Sequence, residues 1–186
     1  MAYVNTIDAS YFFGSLTIGQ KSDVAVSAAI VIAIDTYEPV LLQYLLGYET
    51  YKAYLAWNGT EAGRFKVLRS GLEYTSQNGT TKKWKGLRYT TGLGTKKSLI
   101  ANYVYYHYMA ENVTISTGTG EKVAANQNAI NADAIQKQVK AWNEMVGEII
   151  SLIDFLVSKS DVYTEFEAYR PFFPYELIQY KNSLGL

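Results

Sequence analysis

Ile135-Gln-Lys-Gln-Val139-Lys-Ala-Trp142-Asn-Glu-Met-Val146-Gly-Glu-Ile149-Ile-Ser-Leu-Ile153-Asp-Phe-Leu156 decides the fold class. Its numbered apolar residues step by 4, 3, 4, 3, 4 and 3, a mean period near 3.5 that only a helix presents as one seam. A helix from about Asn131 to Ser158 would be roughly 42 Å long at ~1.5 Å per residue, far beyond the usual ~11–12 residues. Such an element is the spine of an α-helical bundle, and part of its seam is free to pack on another subunit.

Downstream the helical pattern fails from Asp161. Pro171 and Pro174 flank Phe172-Phe173, with Tyr163, Phe166, Tyr169, Tyr175 and Tyr180 around them. Two prolines and this many aromatic rings cannot form a core of their own, so the stretch must lie on the body or on a neighbour. The reading divides the chain into a helical body, 1–162, and an extended aromatic arm, 163–186.

Upstream, Asp23 is a candidate N-cap for a helix beginning near Val24. This helix is apolar nearly all round and is expected at the centre of the fold. Its apolar run, Val24 to Ile34, is too short for a bilayer, which needs roughly 18–20 residues. Pro39 predicts a kink or a fresh start between Thr36 and Pro39. Leu41, Leu45, Tyr48, Tyr51 and Leu55 then continue at helical spacing until Trp57-Asn58-Gly59 stops them. Phe65–Leu68, Leu72–Thr75 and Thr81–Tyr89 carry aromatic and β-branched residues, and Gln77-Asn78-Gly79 predicts a type I′ turn. Ser98 is the candidate cap of a helix to about Glu111, and Ile115–Gly120 reads as a loop or second short hairpin. The expected fold is therefore mainly α, a helical bundle with one long helix in its C-terminal half, an inserted β-hairpin at about residues 65–89 and an extended C-terminal arm.

Composition excludes most catalysis. The 186 residues include no cysteine, one histidine and 17 tyrosines. Thiol nucleophiles, thiolate metal sites and disulfides are absent, and a histidine-rich metal cluster is impossible. His107 lies in a tyrosine-rich helical stretch with no catalytic motif around it. The pairs Glu144/Glu148 and Glu165/Glu167 read as solvated charges. Gly92-Leu-Gly94-Thr-Lys-Lys97-Ser98 lacks the glycine spacing of a phosphate loop, and reads as a turn feeding the next helix. No enzyme activity, cofactor or metal is expected. The mixed first ten residues do not resemble a signal peptide, so synthesis in a cytoplasm is expected.

Charge is the one electrostatic signal. Lysines and arginines balance aspartates and glutamates at 17 each. From Arg64 to Lys97, however, nine bases face a single acid, Glu73, leaving that segment at +8 and the remainder at −8. Arg64, Lys66, Arg69, Lys82, Lys83, Lys85 and Arg88 are the candidate contact residues. They suit an acidic surface on another subunit, phosphates of nucleic acid, or plain solvation. Subunit contact is preferred over nucleic acid, because the matching acidic surface lies in the same chain. Tyr169, Phe172, Phe173, Tyr175 and Tyr180 are the candidate inter-subunit arm. A second class of reading is a monomeric module binding sugars or peptides through Trp57, Trp84 and the Tyr103–Tyr108 run.

Several stretches taken together are similar to a known family. They are Tyr37-Glu-Pro-Val-Leu-Leu-Gln-Tyr-Leu-Leu-Gly-Tyr-Glu49, Trp84-Lys-Gly-Leu-Arg88, Ser98-Leu-Ile-Ala-Asn-Tyr-Val-Tyr-Tyr106, Ala141-Trp-Asn-Glu-Met-Val146 and Asn182-Ser-Leu-Gly-Leu186. The chain from about Asp23 onward resembles the head-to-tail connector (adaptor, head-completion) proteins of tailed bacteriophages, of the crAss-like and related Bacteroides phage type. The resemblance implies a helical fold with a hairpin insertion and a location in the virion at the head–tail junction. It further implies a homo-oligomeric ring, commonly of twelve copies, beneath the portal protein. Such a ring extends the DNA channel, completes the head and receives tail or further ring proteins. It implies contact with packaged DNA at most, and no membrane.

Overall fold

A computed structural model describes residues 5–19, 23–57, 63–112, 115–117, 120–122 and 128–167, with side chains described outside 113–134. Helix α5 spans Asn128–Ser158, 31 residues. Trp142, Val146, Ile149 and Leu156 of the seam are buried, and so are Ala141, Met145, Leu152 and Phe155 beside them. That stripe is wider than a two-position seam, as a helix in a single-chain core requires. Only the seam's start, Ile135, is exposed. Helix α4, Leu99–Asn112, packs on both α5 and α1. The side chain of Ser98 caps it, accepting from the Ile100 amide at 3.1 Å while donating to the Leu87 carbonyl at 2.6 Å.

Helix α1 runs without a break from Val24 to Leu46. Asp23 caps it as expected, accepting from the Ala25 and Val26 amides. Pro39 does not restart it. The missing proline donor leaves only the carbonyl of exposed Asp35 unpaired within the helix, where water can serve. Buried Ile30, Ala33 and Ile34 before the proline, and Leu41, Leu42, Leu45 and Leu46 after it, hold both halves on one core. The break comes instead at Gly47, whose φ of +74° ends α1 and opens α2, Tyr48–Ala56. Nor is α1 central: its apolar Val24, Val31, Ile32 and Val40 are exposed. At 23 residues, with 28% of its apolar window buried, it has the length and composition to cross a membrane, which the eleven-residue run in the sequence did not suggest. It nevertheless carries Glu38, fully buried within the protein.

The inserted region is half helical. Residues Arg64–Ser70 form α3, burying Phe65 and Leu68, so the hairpin is confined to β1, Leu72–Thr75, and β2, Thr81–Trp84. The pair is antiparallel, with Leu72 opposite Trp84 and Thr75 opposite Thr81. Its turn is not type I′. The Gly79 amide donates to the Ser76 carbonyl, which makes Gln77 and Asn78 the central residues and puts Gly79, φ +79°, after them. A turn of this shape closes a three-residue loop with one left-handed glycine. The side chain of Asn78 finishes the loop by accepting from Ser76 Oγ and the Thr80 amide. A second ladder follows, β3 Tyr89–Thr90 with β4 Lys96–Lys97, so Gly92–Gly94 is a hairpin tip. β5, Ile115–Thr117, pairs with β6, Gly120–Lys122, as the second of the two expectations for that stretch had it.

The Trp84–Arg88 stretch locks these pieces together. Trp84 is buried, stacks on Phe155 at 5.9 Å and donates its indole N–H to the Leu68 carbonyl at 2.9 Å. The same carbonyl accepts the Leu87 amide at 3.1 Å, and the Arg69 carbonyl accepts that of Arg88. Gly71 and Gly86 make this crossing possible. Both have positive φ, and a Cβ on Gly86 would lie 2.5 Å from the Arg69 carbonyl oxygen.

The body extends past residue 162. Tyr163 and Phe166 are buried, on either side of the start of the short helix α6, Thr164–Glu167. Tyr163 donates to the Arg64 carbonyl at 2.6 Å. An arm starting at 163 is thus shortened by at least these residues, because their rings complete the core. Tyr169, Phe172, Phe173, Tyr175 and Tyr180 lie outside the described residues.

Candidate interaction cleft

The seven basic residues singled out in the sequence do not form one face. Arg64 is committed to the fold: it makes two bonds to the Glu165 carboxylate, at 2.8 and 2.9 Å, and a third to the Val162 carbonyl. Glu165 is consequently held below the usual carboxylate range by that guanidinium, and is no solvated charge. Arg69 lies over the Trp57 ring at 4.5 Å. Arg88 donates to the Thr6 carbonyl at 2.9 Å. Lys82 pairs with Asp154 at 3.1 Å. Lys66 is half-buried on α3. Lys83 and Lys85 remain on the surface.

Those two lysines, with Lys97 from β4, rim a cleft of about 360 Å³ between the Trp84–Tyr89 stretch and α5. The floor is one face of the helix: Glu144, Gly147, Glu148 and Ser151. Lys97 reaches Glu144 at 3.5 Å, and Lys85 lies 5.2 Å from the centre of the Tyr89 ring. The Tyr89 hydroxyl donates to Glu148 Oε1 at 2.7 Å. Glu148 Oε2 is buried and meets no hydrogen-bond partner among the described residues. Burial pushes the Glu148 carboxyl up; the Tyr89 hydrogen bond and the field of Lys85 pull the other way, and Glu144 adds repulsion. The Tyr89 hydroxyl is itself pushed up, by burial and then by the facing carboxylate. Glu148 is therefore not the solvated surface charge that its sequence context suggested. The signal available was Gly147, a glycine inside a strongly periodic helix.

A second buried carboxylate shows what such a group does in this protein. Glu38 Oε1 accepts the Thr6 amide at 2.6 Å and its Oε2 the Ile7 amide at 3.4 Å. The Thr6 hydroxyl bonds Tyr54 at 2.8 Å. A helix glutamate thereby pins an N-terminal segment that carries two short 3-10 turns and whose Ile7, Tyr11, Phe12, Leu16 and Ile18 are core residues. Nothing in the pattern of residues 5–19 had suggested this role.

The other candidates resolve into packing. Trp84, Tyr105 and Tyr108 are buried, Trp57 is half-buried beneath Arg69, and Tyr103 and Tyr106 are partly buried against the core. His107 stacks on Tyr37 at 4.5 Å and meets Tyr103 edge-on at 4.4 Å. The Tyr37 hydroxyl bonds Glu111, which pushes its pKa up to about 12. Among the described residues no three histidine, aspartate or glutamate side chains are placed to share a metal ion. Comparison of the chain with protein-family models, with curated proteins and with solved structures found no match.

Proposed function

We propose that the protein is a structural, non-enzymatic virion component that forms an adaptor ring at the head–tail junction of a tailed phage. In this reading it joins the portal to the tail, extends the DNA channel and helps complete the filled head. The observation that carries the reading is apolar surface on a well-filled body. Ile30, Leu42, Leu45, Leu46, Met145 and Val146 are wholly buried, so the core is not short of apolar residues. Yet Val24 is 84% exposed, Ile32 65% and Leu93, at the β3–β4 hairpin tip, 96%. Large apolar residues left exposed outside a complete core suit burial by another chain. A closed ring needs two different complementary surfaces on each subunit, and surface Lys83 and Lys85 are the part of the basic segment left to supply a second one. Pairing Arg64 with Glu165 and Lys82 with Asp154 also lessens the attraction that a basic hairpin would exert on moving DNA.

The test is assembly with the portal, because a ring subunit can stay monomeric until a template is present. Mixing the purified chain with its portal protein should give a stoichiometric ring complex by light scattering and electron microscopy. Removing Tyr169–Leu186 should leave a folded body that no longer joins it. Wild-type protein that stays monomeric in the presence of the portal sinks the reading.

A further inference from the structure

We infer that the tip of the β3–β4 hairpin is a docking knob: Leu93 of one copy seats in the pocket between α1 and the last turn of α4 on the next copy. The inference deepens the ring reading and rests on it, since it names the contact that joins neighbouring copies.

The knob is held in place. Gly92-Leu93-Gly94 is a closed three-residue loop: the Thr91 amide donates to the Thr95 carbonyl at 2.9 Å, the Gly94 amide to the Thr91 carbonyl at 2.8 Å, and the Thr95 amide to Thr91 Oγ1 at 3.2 Å. Gly94 takes the left-handed position, at φ +78°. Both strands fix the base to the body, through Tyr89 to Glu148 at 2.7 Å, Lys97 to Glu144 at 3.5 Å and Lys96 to Ser10 at 2.6 Å. The turn itself does not call for a leucine, since glycine, asparagine and aspartate suit such positions. Yet Leu93 stands there at 96% exposure, between two glycines with open space around them. An apolar side chain presented by an ordered loop loses little freedom on binding, which is what an interface anchor requires.

The pocket has the matching character. It holds about 230 Å³; Ala29, Ile32 and Ala33 of α1 give it an apolar wall, and Tyr108 and Glu111 of α4 line its other side. Leu93 is not among its lining residues, so a copy does not fill the pocket with its own knob. The hairpin leads through Ser98 into the first turn of α4, whereas the pocket takes the last, and the 14 residues of that helix span about 21 Å. Knob and pocket thus belong to opposite ends of one helix. Two different surfaces disposed this way join copies head to tail, which is the heterologous contact that closes into a ring. Charge favours the same pairing. Lys96 beside the tip and Glu111 on the pocket rim are both exposed, and the C-terminal end of α4 adds partial negative charge where the base arrives. A tip-to-tip contact would instead bring Lys96 against Lys96 and leave the pocket empty.

The chain has no cysteine, so introduced thiols report the contact directly. Full-length Leu93→Cys and Ile32→Cys proteins are mixed in equal amounts with the portal protein, its own thiols blocked, then oxidised and read by mass spectrometry of the linked peptides. A disulfide needs Cα atoms within about 7 Å, so the link forms in quantity only where the tip is seated. We expect it to exceed, by about tenfold or more, the link in a control mixture of Leu93→Cys with Leu72→Cys, an exposed site on the first hairpin. The double variant Leu93→Cys/Ile32→Cys should give a ladder of covalent oligomers. Ala29→Trp fills the pocket and should weaken assembly on the portal by about tenfold, with helix content unchanged by circular dichroism, whereas Leu93→Met should assemble normally. A portal complex that forms without the link between positions 93 and 32 overturns the inference and leaves the ring reading standing. Wild-type protein that never assembles on the portal overturns both. Linkage mainly between two copies of position 93, or full assembly by a folded Ala29→Trp protein, also overturns the inference.

Discussion

Glu148 and Glu165 are shifted in opposite directions, and the difference sets how each responds to pH. Burial raises the Glu148 carboxyl above its unfolded value. Its favourable contribution is then complete below the unfolded pKa and lost as pH rises through the folded one. Glu165 is lowered by the Arg64 hydrogen bond, so its contribution is present above the unfolded pKa and lost as pH falls through the folded one. Urea denaturation of Glu148→Gln should therefore show a gain over wild type at pH 8 that shrinks or reverses at pH 4, since glutamine keeps an acceptor for Tyr89. A loss that is larger at pH 8 than at pH 4 would contradict the burial argument. Arg64→Ala should cost about 1–2 kcal/mol at pH 7. Partial exposure of the pair discounts its charge, but the carbonyl bond and the contact of Arg64 with Phe65 at 4.7 Å are lost as well. The cost should narrow as pH falls below the ordinary carboxylate range and Glu165 protonates.

At the scale of elements, the crossing of α3 with the Trp84–Arg88 stretch is the least forgiving part of the fold. Gly86→Ala meets backbone at 2.5 Å with φ at +100°, so we expect a loss of about 2–4 kcal/mol in chemical denaturation. Gly79→Ala, at φ +79° with open space around it, should cost only about 1 kcal/mol. Near-equal costs would mean that the crossing relaxes. Long periodic elements were legible in the sequence: α5, the Asp23 and Ser98 caps and the hairpin around Asn78 all followed from spacing and turn chemistry. Short elements were not. Phe65–Leu68 looked strand-like because Phe and Val favour strands, although Phe65 and Leu68, three apart, were already spaced for one helix face. Pro39 looked like a breaker because its cost is local, whereas the seven buried apolar residues that override it act through tertiary packing. The cleft was hidden for the same reason. Lys83 and Lys85 were visible as part of a basic segment, but nothing local said that Arg64, Lys82 and Arg88 would be engaged by partners within the chain, or that Glu148 would be buried beneath Tyr89.

In the proposed assembly, stability and association would rest on different residues of the molecule, and that separation makes the assembly testable. Ile32 is 65% exposed and Leu93 96% exposed, so each adds little to the isolated fold. Lys83 and Lys85 lie on the surface, whereas Lys82 is tied to Asp154 at 3.1 Å. Ile32→Lys, Leu93→Asp and Lys83→Glu/Lys85→Glu should each stay within about 0.5 kcal/mol of wild type in denaturation, with Lys82→Glu costing up to about 1 kcal/mol. In a portal-binding assay the order should invert. Ile32→Lys places a charge where an exposed apolar side chain of α1 would be buried by a neighbour, and desolvating that charge is far costlier than exposing an isoleucine. It should abolish ring formation while Lys82→Glu only weakens it. A stable Ile32→Lys protein that still assembles at wild-type concentration would remove α1 from the interface, and with it the main support for a ring built on this helix.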